Sequence, residues 1–217
     1  MRAQIRGMEQ AERNVQDGIS MVQTAEGALE EAGNIAQRMS ELGVQAGNDT
    51  LSDEDRNKVK EELTQLQDEM KKISEETKFN GKKLLNTAGT FTIQAGANSE
   101  TRTITTANLS SIANGLSTIT ISSSAQAQSF VENVDKALTS INDARSALGA
   151  MQNRLEYTAN NLTTSTENLT AAESRIRDVD VAKEMVTLSK LNILNQASQA
   201  MVSQAKQQPE SVSQLLR

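Results

Sequence analysis

Six carboxylates crowd one short stretch of this chain: Glu61, Glu62, Asp68, Glu69, Glu75 and Glu76. Acids gathered in this way can do general acid–base work or hold a hard cation, but either task needs a pocket that draws them together away from water. Here they fall on the polar side of an amphipathic helical pattern, which reads as a solvated charged face. The chain has no histidine and no cysteine. That removes His/Cys zinc sites, Ser–His and Cys nucleophile pairs, and disulfides. No Asp-x-Asp-x-Asp-Gly calcium loop and no glycine-rich phosphate loop occurs. The balance of 22 Lys+Arg against 28 Asp+Glu, a net charge of −6, argues against a nucleic-acid binder, whose affinity comes from neutralising phosphates. No apolar run approaches the ~20 residues that cross a bilayer, so no membrane insertion is expected. Met1-Arg2-Ala3-Gln4 lacks the apolar centre of a secretory signal. These observations predict a protein that is not an enzyme and carries no cofactor and no metal.

The elements that would carry such a surface are long helices. The 217 residues are 36% hydrophobic and only 2% aromatic, with one proline, Pro209, a profile suited to helices packed along seams. From Gln4 to about Gln45, Met8, Val15, Val22, Leu29 and Ala36 recur every seventh residue, with Ala11, Gly18, Ala25 and Ala32 three positions later. This is a heptad seam with a narrow second row that permits close helix approach. A further row, Met21, Ala28, Ile35 and Leu42, asks the same helix to meet more than one partner. Gly47-Asn48-Asp49-Thr50 breaks the pattern, and Ser52 with Asp55 resembles a capping box. The next helix, Asp53–Glu76, places Val59, Leu63, Leu66, Met70 and Ile73 on one side and is expected antiparallel to the first. Between about 79 and 124 the texture changes. Asn80-Gly81 is a turn dipeptide, and Phe91, Ile93, Ile104, Ile119 and Ile121 alternate with polar residues, predicting two or three short strands in hairpins.

The strongest periodicity follows. Ala127, Val134, Ile141, Leu148, Leu155, Leu162, Leu169 and Ile176 stand at strict seven-residue steps. They predict one helix of about 75 Å at 1.5 Å per residue, stable only when packed on other helices. Arg175 to Asp180 reads as a junction. Beyond it, Val186, Ile193, Ala197 and Met201, flanked by Leu194 and Ala205, form an apolar stripe from Ala182 to about Gln207, opposite Asn192, Asn195, Gln199 and Ser203. Pro209 is expected to stop that helix, and Leu215-Leu216 leave an apolar end that needs a partner. The fold class expected is mainly α: a coiled-coil-like helical rod over residues 1–176 with a small β-hairpin region at about 79–124, then a C-terminal helix over 177–217.

Several stretches, in order, resemble bacterial flagellin. Asn168-Leu169-Thr170-Ala171-Ala172-Glu173-Ser174-Arg175-Ile176-Arg177-Asp178-Val179-Asp180 is similar to its C-terminal signature, as is the run from Gln196-Ala197-Ser198-Gln199-Ala200-Met201 through Gln207-Gln208-Pro209 to Leu215-Leu216-Arg217. Gln16-Asp17-Gly18-Ile19-Ser20, Thr24 to Leu29, Thr77 to Leu85 and Leu148 to Leu155 match further segments. The resemblance implies a self-assembling, secreted subunit of the flagellar filament, serving motility in the extracellular bacterial flagellum, with other flagellin subunits as partners. It implies a short form, without the family's N-terminal stretch and without large variable outer domains. The last helix is then expected to line the filament core or to be held by a flagellar export chaperone, through Val186, Ile193, Leu194, Ala197, Met201, Ala205, Leu215 and Leu216. At positions matching the family's surface for the vertebrate flagellin-sensing receptor, Toll-like receptor 5, stand Gln37, Arg38, Glu41, Leu42 and Glu62, with Ser40 where the family often has a second Arg. Leu42 and Arg38 also read as an intersubunit packing residue and a solvated charge. A hook–filament junction protein shares the terminal plan, although the Gln-Gln-Pro and Leu-Leu-Arg ending favours flagellin. A chemoreceptor-like helical signalling protein would share the heptads but not the strand region.

Overall fold

The structure, a computed structural model, describes residues 1–178 and 180–215, with side chains as far as Lys206. Helices α1 (Arg2–Ala46) and α2 (Asp53–Glu76) are followed by strands β1 (Lys78–Phe79), β2 (Lys82–Lys83), β3 (Thr90–Gln94) and β4 (Thr101–Thr105). Helices α3 (Leu109–Gly115), α4 (Ser124–Arg177) and α5 (Val181–Leu215) complete the chain. It divides into two compact units, Met1–Leu169 and Thr170–Arg217.

In the first unit the heptad rows become the core. Val15, Val22, Leu29 and Ala36 of α1 are fully buried, as are Ala25 and Ala32 of the small row. Helix α4 runs antiparallel to α1: Glu12 accepts from the Thr163 hydroxyl at 3.0 Å, and Glu30 lies 3.8 Å from Arg145. Farther along α1, Gly43 faces Phe130 and Val131. On α4 the row Ala127, Val134, Ile141, Leu148, Leu155 and Leu162 is buried. Leu169 is only half-buried, and Ile176 is 76% exposed.

Ser52 caps α2, its Oγ accepting from the Asp55 amide at 3.2 Å and donating to Asp55 Oδ2 at 2.7 Å. Asp55 thus binds the cap's hydroxyl, a variation on the usual box in which a longer Glu or Gln reaches back to the cap's backbone amide. Arg38 of α1 meets Glu62 of α2, near the end of one helix and the start of the next, so the pair is antiparallel as expected. The buried positions of α2 include Arg56, Gln67 and Ser74 besides Val59, Leu63 and Met70.

The strand region differs in part from expectation. β1 and β2 form a hairpin closed by Asn80 and Gly81, with φ of 48° and 79°, the left-handed pair a tight hairpin turn demands. β3 and β4 pair Phe91 with Ile104 and Ile93 with Arg102. No strand forms at residues 117–122: Ile119 and Ile121 are buried, but the segment is irregular. Its alternation marked burial without a neighbouring strand to pair with. In its vicinity stands α3, unforeseen, with the Asn108 side chain accepting from the Ser111 amide at its start.

In the second unit α5 runs to Leu215, so Pro209 does not end it. A proline removes one amide from the i→i−4 ladder, here the bond to the Ala205 carbonyl, and the Gln and Glu residues around it are good helix formers that carry the turn onward. Every described side chain of α5 is exposed.

Candidate functional site

Two surfaces stand out. On the first, α1 and α2 bring Arg38, Glu41 and Glu62 together. Arg38 Nε and Nη2 donate to Glu62 Oε1 at 3.2 and 2.9 Å, and Nη1 donates to Glu41 Oε2 at 3.1 Å. Glu41 follows Arg38 by three residues, so one helical turn aligns them, whereas Glu62 must arrive from the antiparallel helix. The two carboxylates raise the Arg38 pKa above its ordinary value, chiefly through the hydrogen bond to Glu62 and then that to Glu41. The cluster is open to water, with Arg38 side-chain exposure at 51% and Glu41 at 69%. Its electrostatics therefore orient the guanidinium more than they stabilise the fold. Gln37 is exposed beside it. Leu42 does not belong to this surface: it is 2% exposed and part of the core. Of the second apolar row of α1, Met21 and Leu42 are buried in this unit, while Ala28 and Ile35 are half-buried.

On the second surface, α5 presents Val186, Ile193, Leu194 and Met201 at 70, 66, 52 and 69% exposure, with Ala197 and Ala205 also exposed. Met185, Val186, Ile193 and Leu194 line a shallow apolar groove with Ser189 and Lys190. The sequence reading missed Leu188, Leu191 and Val202, which are equally exposed and project from other sides at 100° per residue. The apolar residues wrap most of the helix, and a helix apolar on several sides belongs in a multi-helix environment. The side chain of Leu215 and all of Leu216, named with this set, lie outside the described residues.

Among the described residues no group of three or more acidic side chains gathers as a metal site, and no helix is long and apolar enough to cross a membrane. What both surfaces offer is adhesion: one through an oriented charge cluster, the other through apolar area.

The family model for the bacterial flagellin N-terminal helical region matches residues 1–90, and that for the bacterial flagellin C-terminal helical region matches residues 131–216. The chain belongs to the bacterial flagellins. A flagellin of Halalkalibacterium halodurans is 52% identical over 221 residues, covering 100% of this chain and 81% of the relative. A flagellin of Bacillus subtilis is 45% identical over 255 residues, covering 100% and 83%. Among solved structures, Bacillus cereus flagellin superposes with a TM-score of 0.63 at 34% identity over 74% of this chain and 94% of that one. A flagellar hook-associated protein of Vibrio parahaemolyticus gives 0.67 at 11% identity, which shows a common fold alone. This flagellin is a structural subunit of the flagellar filament.

Proposed function

We propose that this flagellin works outside the cell, in an extracellular filament, and contributes adhesion rather than catalysis. Residues 1–176 serve as the helical body of the subunit, and residues 177–217 as the helix that packs toward the filament core. The observation that carries this reading is the exposure of α5 on all sides with large apolar residues, Val181 at 74% and Met201 at 69% among them. A groove-bearing export chaperone is the natural occupant of the same helix before assembly, since an amphipathic or apolar helix laid in a groove is a recurring recognition mode. Seeded polymerisation tests the reading. The purified chain is added to filament fragments, and light scattering and negative-stain images are followed. Elongation of the seeds is expected, and Ile193→Asp with Leu194→Asp should abolish it without changing helix content of the first unit. Seeds that fail to grow with the unaltered chain would refute the subunit reading.

A second surface reading concerns the vertebrate flagellin-sensing Toll-like receptor. What supports it is the Arg38 cluster, exposed and held in one orientation by Glu62 and Glu41; arginines of this kind are frequent anchors of interfaces. In this reading Gln37, Arg38, Glu41 and Glu62 form the contact and Leu42 supports it from beneath. Arg38→Ala should cut signalling in cells carrying the receptor at least tenfold, as expected for a central anchor. An unchanged dose–response would remove Arg38 from the contact.

A further inference from the structure

Positive charge is concentrated where the fold does not use it. In the β1–β2 ladder Lys78 stands opposite Lys83, and Phe79 opposite Lys82. The Leu84 amide donates to the Thr77 carbonyl at 3.1 Å, which makes residues 77 and 84 a hydrogen-bonded pair and residues 78 and 83 the non-hydrogen-bonded pair beside it. At such a pair the two Cα atoms come closest, about 4.5 Å apart, and the side chains lie together. Like charges directly opposite weaken a hairpin. Phe79 packs against the core, and Lys82 lines a groove with Asn14 and Asp17 of α1. Alternation along the strands then turns Lys78 and Lys83 to the other side. Both are exposed, and neither has an ion pair or side-chain hydrogen bond among the described residues.

The outer side of α2 carries both signs, but its Lys58 and Lys72 are engaged within the helix, Lys58 with Glu54 and Asp55 and Lys72 with Glu69, which leaves unpaired carboxylates there. Val59, Leu63, Met70 and Ser74 turn inward, while Glu61 and Asp68, seven residues apart, lie on the far side, exposed and likewise without an ion pair. Glu75 continues the row but lies close in sequence to Lys78 of its own chain. We infer that Lys78 and Lys83 of one copy receive the carboxylates of Glu61 and Asp68 on α2 of a second copy, an electrostatic clasp between neighbouring subunits. The inference rests on the filament reading and names a contact within it. A second copy fits better than a polyanion: the net charge of −6 opposes both, but a filament holds copies side by side and every copy carries two unpaired carboxylates one heptad apart to meet the two lysines. The two halves of the clasp lie about 15–25 Å apart along α2 at the helical rise. Each copy bears both halves, so a neighbour displaced along the helix makes a contact that repeats without closing.

The test joins the two halves covalently. Unlabelled and 15N-labelled chains are mixed in equal amounts, added to filament seeds and treated with a carbodiimide, which condenses neighbouring lysines and carboxylates to amides with loss of water. Mixed-isotope peptides joining Lys78 or Lys83 to Glu61 or Asp68 are the expected result. Intermolecular links elsewhere but none at these residues would overturn the clasp and leave the filament reading standing. No intermolecular links at all would overturn both. Lys78→Glu with Lys83→Glu is expected to slow elongation about tenfold, the scale of electrostatic steering, and adding Glu61→Lys with Asp68→Lys is expected to restore it. A charge-reversed chain of unchanged helix content that elongates normally, or a quadruple variant that fails to recover, would also overturn the clasp. Retention of the unaltered chain on heparin without the expected links would assign the lysines to a polyanion instead.

Discussion

Gly18 shows how much one residue decides in this fold. It lies in the small row of α1, where a Cβ would overlap Ile93 Cδ1 of β3 and come within 3.6 Å of Leu155 Cδ1 of α4. The missing side chain is what admits Ile93, whereas the distance to Leu155 is an ordinary van der Waals contact. Gly18→Ala gains about 1 kcal/mol of helix propensity but must displace Ile93, and the two effects oppose. Gly18→Val gains only a few tenths of a kcal/mol in propensity and adds volume, so it should destabilise the first unit by about 1–3 kcal/mol in urea titration. An unchanged midpoint would mean that α1 and β3 do not meet there. The small row was legible because glycine and alanine repeat at heptad spacing. Arg56 and Gln67 were not legible as buried residues. Arg56 Nη2 donates to the Asn48 carbonyl at 3.1 Å, and Gln67 Nε2 donates to the Ala113 carbonyl at 3.1 Å. Each is buried by a partner from another element, and nothing in the local pattern of α2 announces that partner. Leu42 is the opposite case: a family motif places it in a contact, its apolar row asks for a further partner, and within this unit it is 2% exposed.

At the scale of elements, periodicity foretold the long helices well because a seven-residue repeat leaves few alternatives over six turns or more. It said less about where each seam ends. The row on α4 is continuous in sequence from Ala127 to Ile176, yet exposure rises from 0% at Leu155 to 76% at Ile176. This gradient yields a contrast of two variants. Leu155→Ala should cost about 2–5 kcal/mol, the range for truncating a buried leucine. Ile176→Ala in the unassembled chain should fall within about 0.5 kcal/mol of the parent, as exposed substitutions do. Urea titrations of the two proteins check both values, and equal losses would mean that the seam continues to the end of α4. Short elements were the hardest to read. The helix α3 has seven residues, too few for a repeat to register, and only Asn108 gives a capping signal. Residues 117–122 alternate as a strand would, but alternation reports which side is buried and does not supply a pairing edge.

The scale of the whole molecule is where the remaining apolar surface has to be accounted for. The first unit buries its own rows, while α5 has no described side chain that is even half-buried. Helical hydrogen bonds alone seldom hold a segment against the ordering cost of roughly 1–2 kcal/mol per residue, and in proteins packing supplies most of a helix's stability. Amides of α5 in the unassembled chain should therefore open locally and exchange fast, at the low-stability end of the molecule, whereas amides of α1 around Val22 and Leu29 should exchange only with global unfolding. With α5 packed toward the filament core as proposed, assembly onto a seed should slow its exchange by several orders of magnitude, since each 1.4 kcal/mol gained is about tenfold in the opening equilibrium. Hydrogen exchange read by mass spectrometry on the free chain and on elongated filaments distinguishes the cases. Protection of residues 182–206 already in the free chain would show that α5 finds its partner within one molecule. Its apolar sides would then be spent at home, as those of α1 are, and the assembly role would have to pass to another surface.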